Sequence, residues 1–354
     1  MSNQGMSYEI LVSIIMPIYN ASAFLNEAFQ SIIEQTWKTS LEVSLFCDAC
    51  TDDSLELCYQ WKQKFIDNNI KVVIGKNPTK NCGGVGYAKN QAIEQSHGKY
   101  LCFLDSDDVM MPARIQMQLE LAENDHLLLV GSQYIRTPEC STKRYTLWSN
   151  SLTDDQLYCQ IYTSFGPTII NPTWFCSRKV IENAGPFLER VKGFPEDLEF
   201  FYRHLLGGGR LVKINQPLLI YRYHICGASF SVHEDTIWNL RLKQLEANVL
   251  SKWEYFTIWN AGKQGRKFFR TLSEENKHKV KALCDVDSKK INKGFYKCEV
   301  VGSDGKKMTI PIVHFKAAKP PFVICVKINL TNGEFEENLK SLNLIEGNDY
   351  FHFS

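Results

Sequence analysis

The sequence predicts an α/β protein, a largely parallel sheet with helices on both faces, followed by a smaller domain of the same class. Three observations carry that reading. Short apolar, β-branched runs alternate with helix-spaced runs four times before residue 105, the pattern of a parallel sheet with covered faces. The alternation restarts near residue 253, after a long helical stretch. A length of 354 residues, 44% hydrophobic and 22% charged, suits two ordinary globular domains.

The elements follow in order. Val12-Ser13-Ile14-Ile15-Met16 is a buried strand that stops at Pro17. From Ala23 to Thr36 apolar residues recur at helical spacing (Phe24, Leu25, Ala28, Phe29, Ile32, Ile33). Glu42 to Phe46 is the second strand and runs into CDACTDDS, where Asp53 or Ser54 is placed to cap a helix through Trp61 and Phe65. Lys71 to Ile74 is the third, followed by the loop GKNPTKNCGGVG and a helix from Tyr87 to Ser96. The fourth, Tyr100 to Leu104, ends abruptly in three carboxylates, Asp105, Asp107 and Asp108. Parallel sheets bind ligands beyond the carboxyl ends of their strands, and the loops at Pro17 to Asn20, Asp48, Lys89 and Asp105 to Asp108 all lie at or beyond those ends. The stretch from about 130 to 230 is less regular and contains TSFGPTIINPTWFCSR, GPFLERVKGFPEDLEFFYRHL and a strand-like LLIYRYH. Residues 236–252 read as a joining helix. Beyond it come WEYFTIW as strand, NAGKQGR as turn, KFFRTL as helix, and the strands KVKALCDVD and PPFVICVKI.

Composition narrows the classes. The N-terminus MSNQGMSYEI is polar, unlike a signal peptide, and no apolar stretch approaches the roughly 20 residues that cross a bilayer. The twelve cysteines show no even framework, and Cys102, Cys176 and Cys325 lie inside apolar runs. They read as reduced core residues of a cytoplasmic protein with no membrane partner. Cys47 and Cys50 form one CxxC with no second pair nearby, which argues against zinc. The net charge of +1 hides an asymmetry: residues 1–252 carry a net of −4 and residues 253–327 a net of +9. A basic second half points to an anionic partner or to a solvated lysine-rich face.

Three carboxylates within four residues repel one another unless a cation compensates them. Two acids one residue apart at a strand end can contact a hard divalent cation and the sugar of a nucleotide together, and magnesium or manganese typically takes one or two protein carboxylates plus phosphate oxygens. An acidic turn alone is also common on solvated surfaces. The ordered succession VSIIMPIYN, CDACTDDS, GVGYAKNQAIEQSHGKYLCFLDSDD and PEDLEFF, over roughly residues 12 to 230, resembles the family-two inverting glycosyltransferases. The resemblance implies a GT-A nucleotide-diphospho-sugar transferase domain over residues 1–235; the residues beyond it read as a linker helix over 236–252 and a Rossmann-like basic domain over 253–354. It implies that Pro17 and Tyr19 border the nucleobase, that Asp48 bonds the uracil, and that Lys89 reaches base or diphosphate. Asp105 would contact the ribose and Asp107 would ligate the metal, Mn2+ or Mg2+. Two positions depart from the family: Cys47 stands where an acid is usual, and Lys89 where Arg is commoner, replacing a bidentate fork by a point charge.

An inverting transferase needs a carboxylate to take the acceptor's proton. Asp197 matches the family's base, with Glu196 beside it facing acceptor or loop. The alternative is a first-turn acid stabilised by the helix dipole. His224 follows a strand and is a candidate for metal or diphosphate, or a structural histidine. Trp174 is a candidate for the acceptor rim, or core.

In the second half, Asn260 to Gly265 follows a strand and opens a helix, with Asp285 twenty residues further on, the context of a dinucleotide fingerprint except that Asn260 replaces its first glycine. Lys263, Arg266, Lys267 and Arg270, with Lys277, Lys279 and Lys281, offer a basic face for a nucleic-acid backbone. The whole layout, with PTWFCSR, FTIWNAGKQGR and PPFVICVK, resembles the branch of the family that glycosylates queuosine-containing tRNA. That implies transfer of galactose from UDP-galactose to the wobble queuosine of tyrosine tRNA. The alternatives are a UDP-GlcNAc transferase acting on a glycan or protein, and a non-catalytic nucleotide-sugar or RNA-binding protein.

Overall fold

Seven consecutive residues of the first apolar run form strand β1, Val12–Ile18, and all but Pro17 are buried. Neighbouring β2, Leu41–Cys47, is buried along its whole length. Strands hidden on both faces need helices above and below, and the sequence supplies them. The structure, a computed structural model, describes residues 10–163, 166–189, 193–224, 227, 231–301, 307–328 and 330–354. The polar N-terminus ahead of residue 10, read above as no signal peptide, lies outside them. The chain divides into two units, residues 10–154 with 166–236, and residues 155–163 with 237–354.

The first unit holds an eight-stranded sheet. Its other strands are β3 (Ile70–Lys76), β4 (Tyr100–Phe103), β5 (Val109–Met110), β6 (Leu128–Thr137), β7 (Phe175–Ser177) and β8 (Arg210–Arg222), in the order β3-β2-β1-β4-β7-β6-β8-β5. The first four are parallel; β7 runs antiparallel to both β4 and β6. Residues Val12 to Ile18 pair in unbroken register with Leu41 to Cys47, so the loops holding Tyr19 and Asp48 start level. Ile15 pairs with Phe103, which sets Asp105 level with Pro17. The helix Ser22–Ile33 buries Leu25, Ala28, Phe29 and Ile32, and Phe29 meets Phe65 of the helix Ser54–Asp67 edge-on, ring centres 5.5 Å apart. The expected cap of that second helix is corrected. Asp53 makes no side-chain capping bond, whereas Asp52 accepts from the backbone N–H of Ser54 and of Ser22, each at 3.0 Å, and ties two helix starts together.

The second unit carries β9 (Phe256–Trp259), β10 (Val280–Asp285), β11 (Phe295–Val301), β12 (Lys307–His314), β13 (Phe322–Ile324) and β14 (Tyr350–His352) in the order β11-β12-β10-β9-β13-β14. Only β11 is antiparallel, and the remaining five have the strand order of a dinucleotide-binding fold. Trp259 centres its core, with the rings of Phe315, Phe322 and Phe335 within 5.5 Å. Gln156 and Gln160 donate to Glu346, and Tyr162 packs on Phe351, which holds the segment 155–163 in this unit. Among the described residues no helix is long and apolar enough to cross a membrane.

Candidate active site

The loops after β1, β2, β3 and β4 meet on one rim because the strands are parallel and nearly level. Asn20, at φ 48°, accepts from the N–H of Thr51 at 2.8 Å and joins the first loop to the second. Tyr19 stands beside it, half-exposed. Asp48 is buried, and its carboxylate accepts from Asn77 Nδ2 (2.6 Å), Cys82 Sγ (3.0 Å) and the backbone N–H groups of Gly83 and Gly84 (2.9 Å each). Gly84 has φ 96°, a turn that favours glycine and aims its N–H inward. A carboxylate has about four acceptor positions, and all are taken. Asp48, expected to bond uracil, here braces the loop 77–84.

At the end of β4, Asp105, Asp107 and Asp108 each place a carboxylate oxygen within 4.8 Å of the others. The Asp105 carboxyl is pushed up to about 7 by burial and by Asp107, with Lys89 pulling the other way. Asp108 is fully buried; Oδ1 accepts from the N–H of Arg222 at 2.8 Å, while Oδ2 has no partner among the described residues. Burial pushes Asp108 well above the ordinary carboxylate range, and Asp107 and Asp105 add to that. An orphaned buried oxygen among three acids fits a hard divalent cation with oxygen ligands. His224 reaches the cluster through Asp107, its Nε2 2.7 Å from Oδ2 and its ring 4.9 Å from that of Phe24. Arg222, in the same YRYH stretch as His224, donates from Nε to the Asp107 carbonyl (2.8 Å) and from Nη2 to Glu27 (2.7 Å).

Across the rim, Asp197 sits in the first turn of the helix Glu196–Leu206, with Oδ1 accepting from the N–H of Leu198 at 2.7 Å. Burial and the neighbouring Glu196 push its carboxyl up to about 6, with Lys89 opposing them. Near neutral pH it is mostly an unprotonated carboxylate of raised basicity, as a general base requires. Lys89, expected to reach base or diphosphate, here faces Glu196 and Asn171. It is 3% exposed and donates to Glu196 Oε1 at 2.8 Å and to Asn171 Oδ1 at 2.5 Å. Burial disfavours its charge, but Glu196, Asp105 and Asp197 more than restore it, so its pKa is raised. On the same helix, Gly86 lets the Leu188 carbonyl oxygen approach closely, since a Cβ there would collide with it.

Trp174 is also corrected. It is fully buried, its indole N–H donates to the Ile169 carbonyl at 2.8 Å, and it lies among Phe103, Phe187, Phe200 and Phe201. A ring enclosed on all sides is core and presents no acceptor surface. Asn171, three residues before it, was missed. The Asn-Pro pair signals a turn but says nothing of Lys89, 82 positions away.

In the second unit Lys263 and Arg270 are exposed, and Arg266 and Lys267 half-buried, on one face of the helix Lys263–Thr271. The Arg266 guanidinium lies 5.3 Å from the Tyr296 ring centre, and Arg270 Nη1 is 3.3 Å from the Tyr296 hydroxyl. Lys267 Nζ lies 4.4 Å over Trp238. Lys277 is buried against Glu274 and leaves the face. Asp285 spends its carboxylate on the N–H groups of Ala261, Val286 and Asp287 and on Lys290 Nζ.

The family profile described as Glycosyl transferase family 2 matches residues 13–184, which includes every rim loop from Pro17 to Asn171. Glycosyltransferase GlyG of Streptococcus pneumoniae is 32% identical over 221 residues, covering 60% of this chain and 70% of GlyG. An uncharacterized glycosyltransferase of Haemophilus influenzae is 34% identical over 124 residues, 35% of this chain, which spans only 47% of that protein's length. Among solved structures, Staphylococcus aureus TarS 1-349 in complex with UDP-GlcNAc superposes with a TM-score of 0.52 at 20% identity, over 67% of this chain and 66% of that one, a likeness of fold. Because GlyG is matched over most of its own length at that identity, and the family pattern runs through the rim itself, the chain belongs to glycosyl transferase family 2.

Proposed function

We propose that this chain transfers galactose from UDP-galactose, with inversion, to the queuosine at the wobble position of tyrosine tRNA, in the cytoplasm. The observation that carries the transfer is one rim on which Asp197, with its raised pKa, stands with Lys89 and Glu196 near the crowded acids Asp105, Asp107 and Asp108. Asp197 takes the proton of the acceptor hydroxyl as that oxygen attacks the anomeric carbon. Lys89 pairs with Glu196 at a distance of 2.8 Å and limits the rise of Asp197, so that the base is free of its proton at neutral pH. Asp107, with Asp105 and Asp108 beside it, would hold Mn2+ or Mg2+, which supplies positive charge to a departing diphosphate. His224 and Arg222 hold Asp107 in place through its carboxylate and its carbonyl. Pro17, near the end of β1, and Tyr19, in the loop after it, are where the chain would border the nucleobase.

For the acceptor, the support is the basic face of the second unit. Lys263, Arg266, Lys267 and Arg270 would hold phosphates, and Tyr296 beside both arginines offers a surface on which unpaired RNA bases stack. The division read from sequence, a transferase domain to residue 235, a linker helix and a domain from residue 253, is redrawn: segment 155–163 and the chain from residue 237 on belong to the second unit, which is proposed to hold RNA. A second reading, transfer of N-acetylglucosamine, is favoured by the likeness to TarS, a structure holding UDP-GlcNAc. Single-turnover transfer from radiolabelled UDP-galactose to tyrosine tRNA with queuosine, against the same tRNA with guanine, tests the proposal. Label only on the queuosine tRNA is the expected result. Label on neither, with UDP-N-acetylglucosamine consumed faster than UDP-galactose, would transfer support to the second reading.

A further inference from the structure

We propose that Asn171 reads the transferred hexose, its side-chain NH2 donating a hydrogen bond to a hydroxyl of that sugar. Asn171 is 3% exposed, on a short turn of helix, Asn171–Thr173, leading into β7. The orientation of its amide is fixed by chemistry. Lys89 Nζ, 2.5 Å away, has only hydrogens to give, so the amide must turn its oxygen toward it. Nδ2 is then left buried, with no hydrogen-bond partner among the described residues. A buried amide donor left unpaired is costly, and such a group in a ligand site calls for an acceptor atom.

Two facts indicate a sugar hydroxyl as that atom. Lys89 Nζ is shared by Asn171 and Glu196, the residue before Asp197, so the amide lies on the side of the rim that holds the base. The anomeric carbon must come there to meet an acceptor oxygen activated by Asp197, which brings the hexose ring with it. Charge points the same way. The ammonium of Lys89 is matched by Glu196, so Asn171 presents a neutral donor, suited to a neutral hydroxyl, whereas a diphosphate calls for a cation.

The inference rests on the nucleotide-sugar reading above, and calorimetry with Mn2+ separates the two. Wild type, Asn171→Ala and Asn171→Asp are titrated with UDP, UDP-galactose, UDP-glucose and UDP-N-acetylglucosamine. Asn171→Asp keeps an oxygen for Lys89 and replaces the donating NH2 by a charged acceptor oxygen; because UDP and UDP-galactose feel that charge alike, the difference between their losses remains informative if the alanine variant folds poorly. The expected result is UDP affinity within twofold of wild type, UDP-galactose affinity lower by roughly 3- to 10-fold, and a narrower preference among the three UDP-sugars. Equal losses for UDP and UDP-galactose would place the NH2 on the diphosphate and overturn the assignment. No loss for either would mean that water satisfies the amide, and would overturn it as well. Wild type that binds none of the three UDP-sugars would sink the donor reading, and the role of Asn171 with it.

Discussion

Both units begin their sheets alike, yet the polar groups at their strand ends are in opposite states. The first orders its parallel strands β3-β2-β1-β4, and the second, apart from its hairpin, β12-β10-β9-β13. At the end of β10, Asp285 is satisfied by three backbone N–H groups and Lys290. Burial works against its ionisation, but those partners outweigh it and hold its carboxyl below the ordinary range. At the end of β4 the acids crowd one another, Asp108 Oδ2 has no partner among the described residues, and Asp105 is pushed up to about 7, burial being the main cause. Related topology thus carries one rim whose acid is fully paired and one whose acids, among the described residues, are not. Function lies in the residues grafted on the strand ends, not in the strand order.

The comparison breaks most readily at Asp197. Asp197→Asn should lower single-turnover transfer roughly 10^2- to 10^4-fold while UDP-galactose affinity stays within twofold. A variant turning over near the wild-type rate would move the base elsewhere. In the wild type the transfer rate should rise with pH through about 6, because the base works only after losing its proton. The sign for stability is opposite. A carboxyl with a raised folded-state pKa favours the native state at low pH, and that contribution is lost as pH climbs from the unfolded value near 4 through about 6. Asn at this position should therefore raise Tm at pH 7.5, measured without divalent ions, and lose the advantage below pH 4.

Next in size are the acid cluster and its supports. Asp107→Ala should abolish the manganese dependence of UDP-galactose binding seen by calorimetry. His224→Ala, which leaves the carboxylate but removes its partner, should weaken manganese affinity about 10- to 100-fold. If both variants bound manganese like wild type, the metal would have to be held by other residues.

The closed rim should respond in stability alone. Asp285→Ala leaves buried donors unpaired and should cost ~1–3 kcal/mol in urea unfolding of the second unit, with UDP-galactose affinity unchanged. The smallest effect concerns the basic face. A Lys263/Arg266/Arg270 triple alanine should raise the KM for tRNA and reduce the slope of log K against log salt by about 0.7–0.9 for each phosphate no longer neutralised. Unchanged tRNA kinetics across about 50–200 mM salt would remove this face from the proposal.

The first four strands, their helices and the convergence of their loops were legible in sequence because alternation of apolar runs is a local signal, and parallel strands must end at one rim. Asp105, Asp107 and Asp197 were legible because each stands in a short motif beside a strand or a helix start. The middle of the chain was less so. Strand β7 has three residues, too few for any period to show, and its antiparallel placement depends on pairing with β4 and β6. Trp174 illustrates the limit. In sequence it borders polar turn residues, and only the closing of Phe103, Phe187, Phe200 and Phe201 around it makes it core.

By itself, then, the sequence determined the class of fold, the rim and the acids on it, since those depend on neighbours within a few residues. Which of those groups are spent and which are free was decided by the tertiary structure. Asp48 is spent on Asn77, Cys82, Gly83 and Gly84, and Lys89 on Asn171 and Glu196, partners 29 to 107 positions away. A hydrogen bond acts over about 3 Å, and no local pattern records which distant residue will come that close.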